Sequence, residues 1–341
     1  MKRLIAFLLL FALLQGTALS GNTVYSQTTV VPNGIMDAKY AKFLNKAEAL
    51  VTIPGVAEGF VPQGVEWIPQ KDWLLFSGYQ DDGGVSPLIA VDIEKGGIAK
   101  EIFLHYPDGT VFSGHAGGVC ATDKNIYIAS GHSLLRLSLS VFLTAENGDS
   151  CAIEEEIPVP VLADFCCSTD EMLWVGEFGE TSGKGMNEAH GFYTADGYHY
   201  AWACGYPLLK TTEKELAITW SDHGKAIPEC ILSITEHIQG MSVRGNEIYL
   251  SQSKGSQNAS SLLEYAIDFS SSPHAEVEMD NADIPVWFAD ISTLQGLTFC
   301  PPMSEGICFV DDKICITFES AANKYIDIAK SPTDQVFMFI K

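Results

Sequence analysis

Residues 63–79 read QGVEWIPQKDWLLFSGY, and their pattern decides the fold. A Gln-Gly pair opens a short apolar strand, and Pro69 to Asp72 makes a polar turn. A second apolar strand then closes on Ser-Gly-Tyr. Four further copies follow: HAGGVCATDKNIYIASGH from His115, DFCCSTDEMLWVGEFGE from Asp164, QGMSVRGNEIYLSQS from Gln239 and EGICFVDDKICITFES from Glu305. A strand-built unit returning at this interval predicts a propeller or another closed β array. Runs such as Leu74-Leu75-Phe76 and Ile126-Tyr127-Ile128 suit strands buried on both faces, as blades packed between blades require.

Third strands are expected at SPLIAVDI, SLLRLSLS, HYAWACGY and SSLLEYAI, and fourth strands at KEIFLHY, IEEEIPV, CILSITEH and PVWFADI. The fifth copy is followed only by QVFMFIK. A first-strand segment, ALVTIPGVA from Ala49, precedes the first copy and is expected to join the last blade, closing the ring and removing exposed edges. The expectation is one all-β domain over 49–341, a five-bladed propeller. The alternative is six blades, with one hidden in the insertion-rich stretch 180–236.

The opening MKRLIAFLLLFALLQGTALS has the form of a secretory signal peptide over 1–20. Lys2 and Arg3 make its charged region, Leu4 to Leu14 its apolar region, and Ala18-Leu19-Ser20 a small-x-small cleavage site. The apolar run is short of the roughly 20 residues of a membrane span. No transmembrane anchor is therefore expected after cleavage, and the location is read as secreted or extracytoplasmic. Segment 21–48 is expected to hold a polar stretch with a turn at Pro32-Asn33-Gly34, then one helix from Asp37 to Leu50. Asp37 would cap it, with Tyr40, Phe43, Leu44 and Ala47 forming its apolar stripe.

The chain has 341 residues and a formal charge of -23. That acidity opposes nucleic acid and anionic membranes, which need clustered Lys and Arg. It suits a soluble exported protein and offers carboxylates to cations. The nine cysteines include no C-x-x-C pair, so a zinc ribbon is not expected. Those inside strand patterns read as small buried hydrophobes, and no disulfide pairing is assigned.

Adjacent strands of a blade run antiparallel. The start of each first strand and the end of each second strand therefore meet at one end of the central channel. The starts supply Gln63, His115, Asp164, Gln239 and Glu305. The ends supply Tyr79, His132, Glu177, Gln252 and Glu319. Polar groups converging at the mouth of an apolar body mark a binding site. Three uses are open. Glu177, Glu305 and Glu319, with Gln and carbonyl oxygens, would suit Ca²⁺, which takes about 6–8 oxygens. His115 or His132 beside such an ion would be a general base. Or Gln63, Tyr79, His132, Gln239 and Gln252 bind a polar ligand without chemistry. The plainer reading has Gln63, Gln239 and Glu305 bonding backbone at a crowded axis, and Glu177 and Glu319 pairing with lysines such as Lys254 or Lys324. No nucleophile elbow, H-E-x-x-H, Walker loop or dinucleotide fingerprint occurs.

With those residues in view, the chain resembles exported bacterial β-propeller proteins without an assigned activity. Its EGICFVDDKICITFES segment is similar to the opening blade of gluconolactonase and paraoxonase-type calcium propellers, a resemblance covering one repeat. In those families a Glu in that place ligates the metal, which would give Glu305 that role. The reading is an exported recognition module that binds a polar ligand or cation at the channel mouth, its partner a small molecule, glycan or protein. The alternatives are a calcium-dependent ester or lactone hydrolase, with His115 as base, and a structural envelope protein.

Overall fold

The computed structural model describes residues 24–31, 37–180 and 187–340. The signal-peptide reading and the Pro32-Asn33-Gly34 turn fall outside them. Five four-stranded antiparallel blades surround one axis, as the repeats predict. The strand-turn-strand copies form the two inner strands of each blade. The inner strands are Phe60–Ile68, Val119–Ala121, Phe165–Ser168, Ile238–Arg244 and Ser304–Val310. Each touches the next around the ring, and the fifth touches the first.

Blade 5 closes the ring from both ends of the chain. Ala47–Thr52 pairs antiparallel with Gln335–Phe339. It is the outermost strand of that blade rather than a first strand, and it begins before Ala49. This pairing also shortens the expected helix. Only Ala38–Tyr40 and Ala41–Leu44 are helical, and the chain is extended from Ala47. The edge of the last blade supplies backbone partners that outweigh local helix propensity. Asp37 caps the helix by accepting from the Lys39 N–H at 3.1 Å. Phe43 packs on blade 5, stacked on Phe339 and edge-on to Phe337.

Two connections reach back to the preceding blade. Ser150–Ala152 adds a parallel strand to the outer edge of blade 1. Ala282–Phe288 adds another to blade 3, bringing the hairpin partner Ala275–Met279 with it. PVWFADI is therefore not the fourth strand of blade 4, a place taken by Leu294–Cys300. Stretch 180–236 holds no sixth blade among its described residues. It carries two small hairpins, Phe192–Thr194 with Gly197–His199 and Thr219–Trp220 with Ala226–Ile227, besides two strands of blade 3.

The apolar core is a set of wedges between blades, not a single ball. Eight of nine cysteines are buried within it, and all nine are free thiols. At the axis the blades nearly touch. A Cβ on Gly64 would lie 2.6 Å from the Val119 nitrogen, and one on Gly306 would lie 2.7 Å from the Val65 nitrogen. Glycine is required there because backbone meets backbone. Blade 3 has Phe165 in that place, and its ring lies over Gly176 in the paired strand.

The segment from Val24 crosses onto blade 1. Both oxygens of the fully buried Glu101 carboxylate accept from it, from the Val24 N–H at 2.7 Å and the Tyr25 N–H at 3.2 Å. Asp334 accepts similarly from the Val30 and Val31 N–H groups. Among the described residues no helix is long and apolar enough to cross a membrane.

Candidate functional site

Three inner strands break register immediately before or at the axial glycine. Gln63 is left unpaired between Pro62 and Gly64, and Gln239 between Ile238 and Gly240. Glu305 and Gly306 fall in the break between Ser304 and Ile307. A bulge re-aims the side chain it carries. Here it lets the next residue return to the crowded axis while the polar side chain turns to the channel mouth.

The mouth holds a cavity of about 270 Å³, lined by Gln63, Tyr79, His115, Asp164, Glu177, Gln239 and Glu319, with Phe178, Glu180 and Tyr325. Glu305 lies behind the lining, 2% exposed, and accepts from Gln239 Nε2 at 3.2 Å. Gln63 Nε2 donates to Glu319 at 3.0 Å. Two glutamines from blades 1 and 4 thus hold two glutamates of blade 5. All five blades contribute to this end of the channel.

The structure brings together most of the residues expected there. His132 and Gln252 are outside the lining. His132 Nδ1 lies 3.1 Å from the Val161 carbonyl, and Gln252 Nε2 donates to the Glu236 carbonyl at 2.9 Å. The lysines also differ from expectation. Lys254 pairs with Glu180 at 3.0 Å, while Lys324 donates to Tyr79 Oη at 2.9 Å. Sequence reading missed Phe178 and Tyr325. Tyr325 stands on the connection after Glu319, where no repeat marks it.

Glu177 is committed to one side of the pocket. Its Oε1 meets His190 Nδ1 at 2.6 Å and accepts from the Trp202 N–H at 3.0 Å. His190 is buried and stacks on Trp202 with centroids 3.8 Å apart. It lies in the insertion after blade 3's second strand, which gave no pattern to read.

Burial dominates the electrostatics. It pushes the Asp164 carboxyl up to about 7, against the Phe178 N–H that bonds it. Burial likewise pushes Glu319 up to about 7, and holds Glu305 well above the usual carboxyl range, aided by the Glu319 charge. The last two lie side by side, so the charge of one opposes ionisation of the other. His115 sits at the exposed rim, its ring 4.9 Å from that of Tyr79. Partial dehydration there, and the Lys324 ammonium, hold its imidazole below the usual value.

The three carboxylates expected to share a calcium ion each meet a protein partner. Glu177 Oε1 is taken by His190 and Trp202, Glu305 accepts from Gln239, and Glu319 accepts from Gln63. Among the described residues no three His, Cys, Asp or Glu side chains converge as metal ligands.

A larger cleft, about 670 Å³, lies at the far ends of the blade 3 and blade 4 hairpins, floored by Met172, Trp174, Phe269 and Trp287. It contains none of the residues expected from the repeats.

No family model matches the chain, and no curated protein matches it in sequence. Among solved structures it is similar to the glutaminyl cyclase of Myxococcus xanthus, at 11% identity and a TM-score of 0.43, covering 86% of this chain and 94% of that one. It is also similar to a GH43_1 enzyme from Xanthomonas citri complexed with xylotriose, at 10% identity and a TM-score of 0.43, covering 89% and 92%. At such identity and TM-score neither likeness bears on what this chain binds.

Proposed function

We propose that the protein is an exported β-propeller recognition module that binds a small polar ligand in the cavity at the channel mouth. One observation carries this reading. Polar side chains of all five blades meet at one end of the channel around a single cavity, three of them at register breaks in the inner strands. A purely structural propeller has no need of three bulges at equivalent places, since each leaves backbone groups unpaired. The polar groups are also pre-positioned, because each glutamine amide is already bonded to a buried carboxyl.

The hydrolase reading has less support. It needs a metal held by Glu177, Glu305 and Glu319, and each of these carboxyls already meets a protein donor.

The test is a thermal-shift panel of small polar compounds, run on the mature chain and on Gln239→Ala and Glu319→Gln. Stabilisation of the wild type by a compound, reduced in both variants, supports the reading. Stabilisation that persists unchanged in both variants places the ligand elsewhere and sinks it.

A further inference from the structure

The Lys324 ammonium is held between two tyrosine rings. It stands 5.0 Å from the centroid of the Tyr79 ring and 5.0 Å from that of Tyr325, and it donates to Tyr79 Oη at 2.9 Å. Among the described residues it has no carboxylate partner within 4.0 Å, unlike Lys95, Lys210, Lys214 and Lys254. Two aromatic faces and one hydroxyl hold it, a seat selective for cations because the ring faces are negative. Both tyrosines line the cavity.

The rest of the cavity has the complementary charge. Its lining includes Asp164, Glu177, Glu180 and Glu319, and no Lys or Arg. A carboxylate or phosphate ligand would enter against those acids, where reduced hydration strengthens the repulsion. A cation would be drawn inward. The volume of about 270 Å³ suits a compact molecule of a few heavy atoms.

We infer that the mouth cavity takes a small organic ammonium ion, and that Lys324 is the chain's own occupant of the aromatic seat, displaced when that ion binds. The inference rests on the recognition reading above and narrows it to one ligand class. Lys324 lies on the connection between blade 5's second and third strands, and its long side chain can leave without moving a blade. Its displacement costs the ligand affinity, so the lysine sets a threshold against weak cations.

The experiment is calorimetric titration of the mature chain with choline, and with 3,3-dimethylbutan-1-ol, its neutral isostere. The expected result is that choline binds at least ten-fold tighter than the alcohol. Lys324→Met is expected to tighten choline binding three-fold or more without improving the alcohol. Choline is charged at every pH, so its affinity is expected to rise from pH 5.5 to 7.5 as the buried carboxyls ionise. Equal binding of choline and alcohol, or weaker choline binding in Lys324→Met, overturns the inference. Binding of neutral polyols that Glu319→Gln weakens, with no choline binding, overturns the ammonium assignment and leaves the recognition reading standing. A panel with no ligand at the mouth overturns both.

Discussion

Gln63 Nε2 donates to Glu319 Oε2 at 3.0 Å and ties the inner strand of blade 1 to the end of blade 5's second strand. The bond joins neighbouring blades that the chain reaches only after traversing the other three. It also fixes the Glu319 carboxyl at the cavity wall, so one contact serves both the seam between blades 1 and 5 and the site geometry. Gln63→Ala is expected to weaken ligand binding and to lower stability by about 1–3 kcal/mol, the cost of leaving a buried acceptor without its partner. Binding and unfolding midpoints measured together check this. Loss of stability with unchanged binding would show that the bond serves the ring alone.

Glu319 makes stability pH-dependent in a direction opposite to most carboxylates. Burial raises it from 4.5 to about 7. The folded state therefore holds its proton where the unfolded state releases it. The stabilisation is full below about pH 4.5 and is lost as pH rises through about 7. Glu319→Gln should flatten the profile between pH 5 and 7 relative to the wild type. Thermal unfolding across that range tests the difference, and parallel profiles would refute the assignment.

The axial glycines are expected to tolerate no side chain. Gly306→Ala places a Cβ 2.7 Å from the Val65 nitrogen and 2.8 Å from the Gly64 Cα, both backbone atoms. Overpacking of this kind costs about 1–3 kcal/mol, and a domain of this size loses roughly 1–2 °C in Tm per kcal/mol. Gly97→Ala, where a Cβ meets nothing within 4 Å, is the control and should melt with the wild type.

Glu101→Ala removes the acceptor of the Val24 and Tyr25 N–H groups. Leaving a buried donor without its partner costs about 1–3 kcal/mol, so a clear fall in the urea midpoint is expected. Limited proteolysis should then cut between Tyr25 and Val31 sooner than in the wild type. An unchanged cleavage rate would mean that Tyr25, packed on Phe60 and Phe103, holds the segment without Glu101.

Thiol titration should give nearly none in the native state and nine in denaturant. Cys230 is the one partly exposed thiol, and burial still pushes it up to about 12. Fewer than nine in denaturant would show disulfides.

The blades were legible because each strand pair is local. Leu74-Leu75-Phe76 and its counterparts need only a turn and an apolar run to be recognised. The mouth was legible in part for the same reason, since Gln63, Gln239 and Glu305 stand before glycines. The register breaks that turn those side chains inward were not, because a bulge depends on the partner strand. Nor were His190 and Tyr325, which reach the site from non-repeating connections. PVWFADI carries a strand signal that is correct, yet its partner lies in the preceding blade. Periodicity specifies that a segment is extended but not which edge it joins.

The pairing of Ala47–Thr52 with Gln335–Phe339 has a consequence in time. A ribosome delivers the first of these strands early and the second almost three hundred residues later. Blades 1 to 4 can form in order as they emerge, but the first strand must wait unpaired for its mate. Contacts this distant in sequence form slowly. Until they form, the apolar faces of blades 1 and 5 stay open to water and to other chains. The waiting interval, rather than any blade, is then the step at which misassembly competes with folding, and a chaperone that covers the early strand would relieve it.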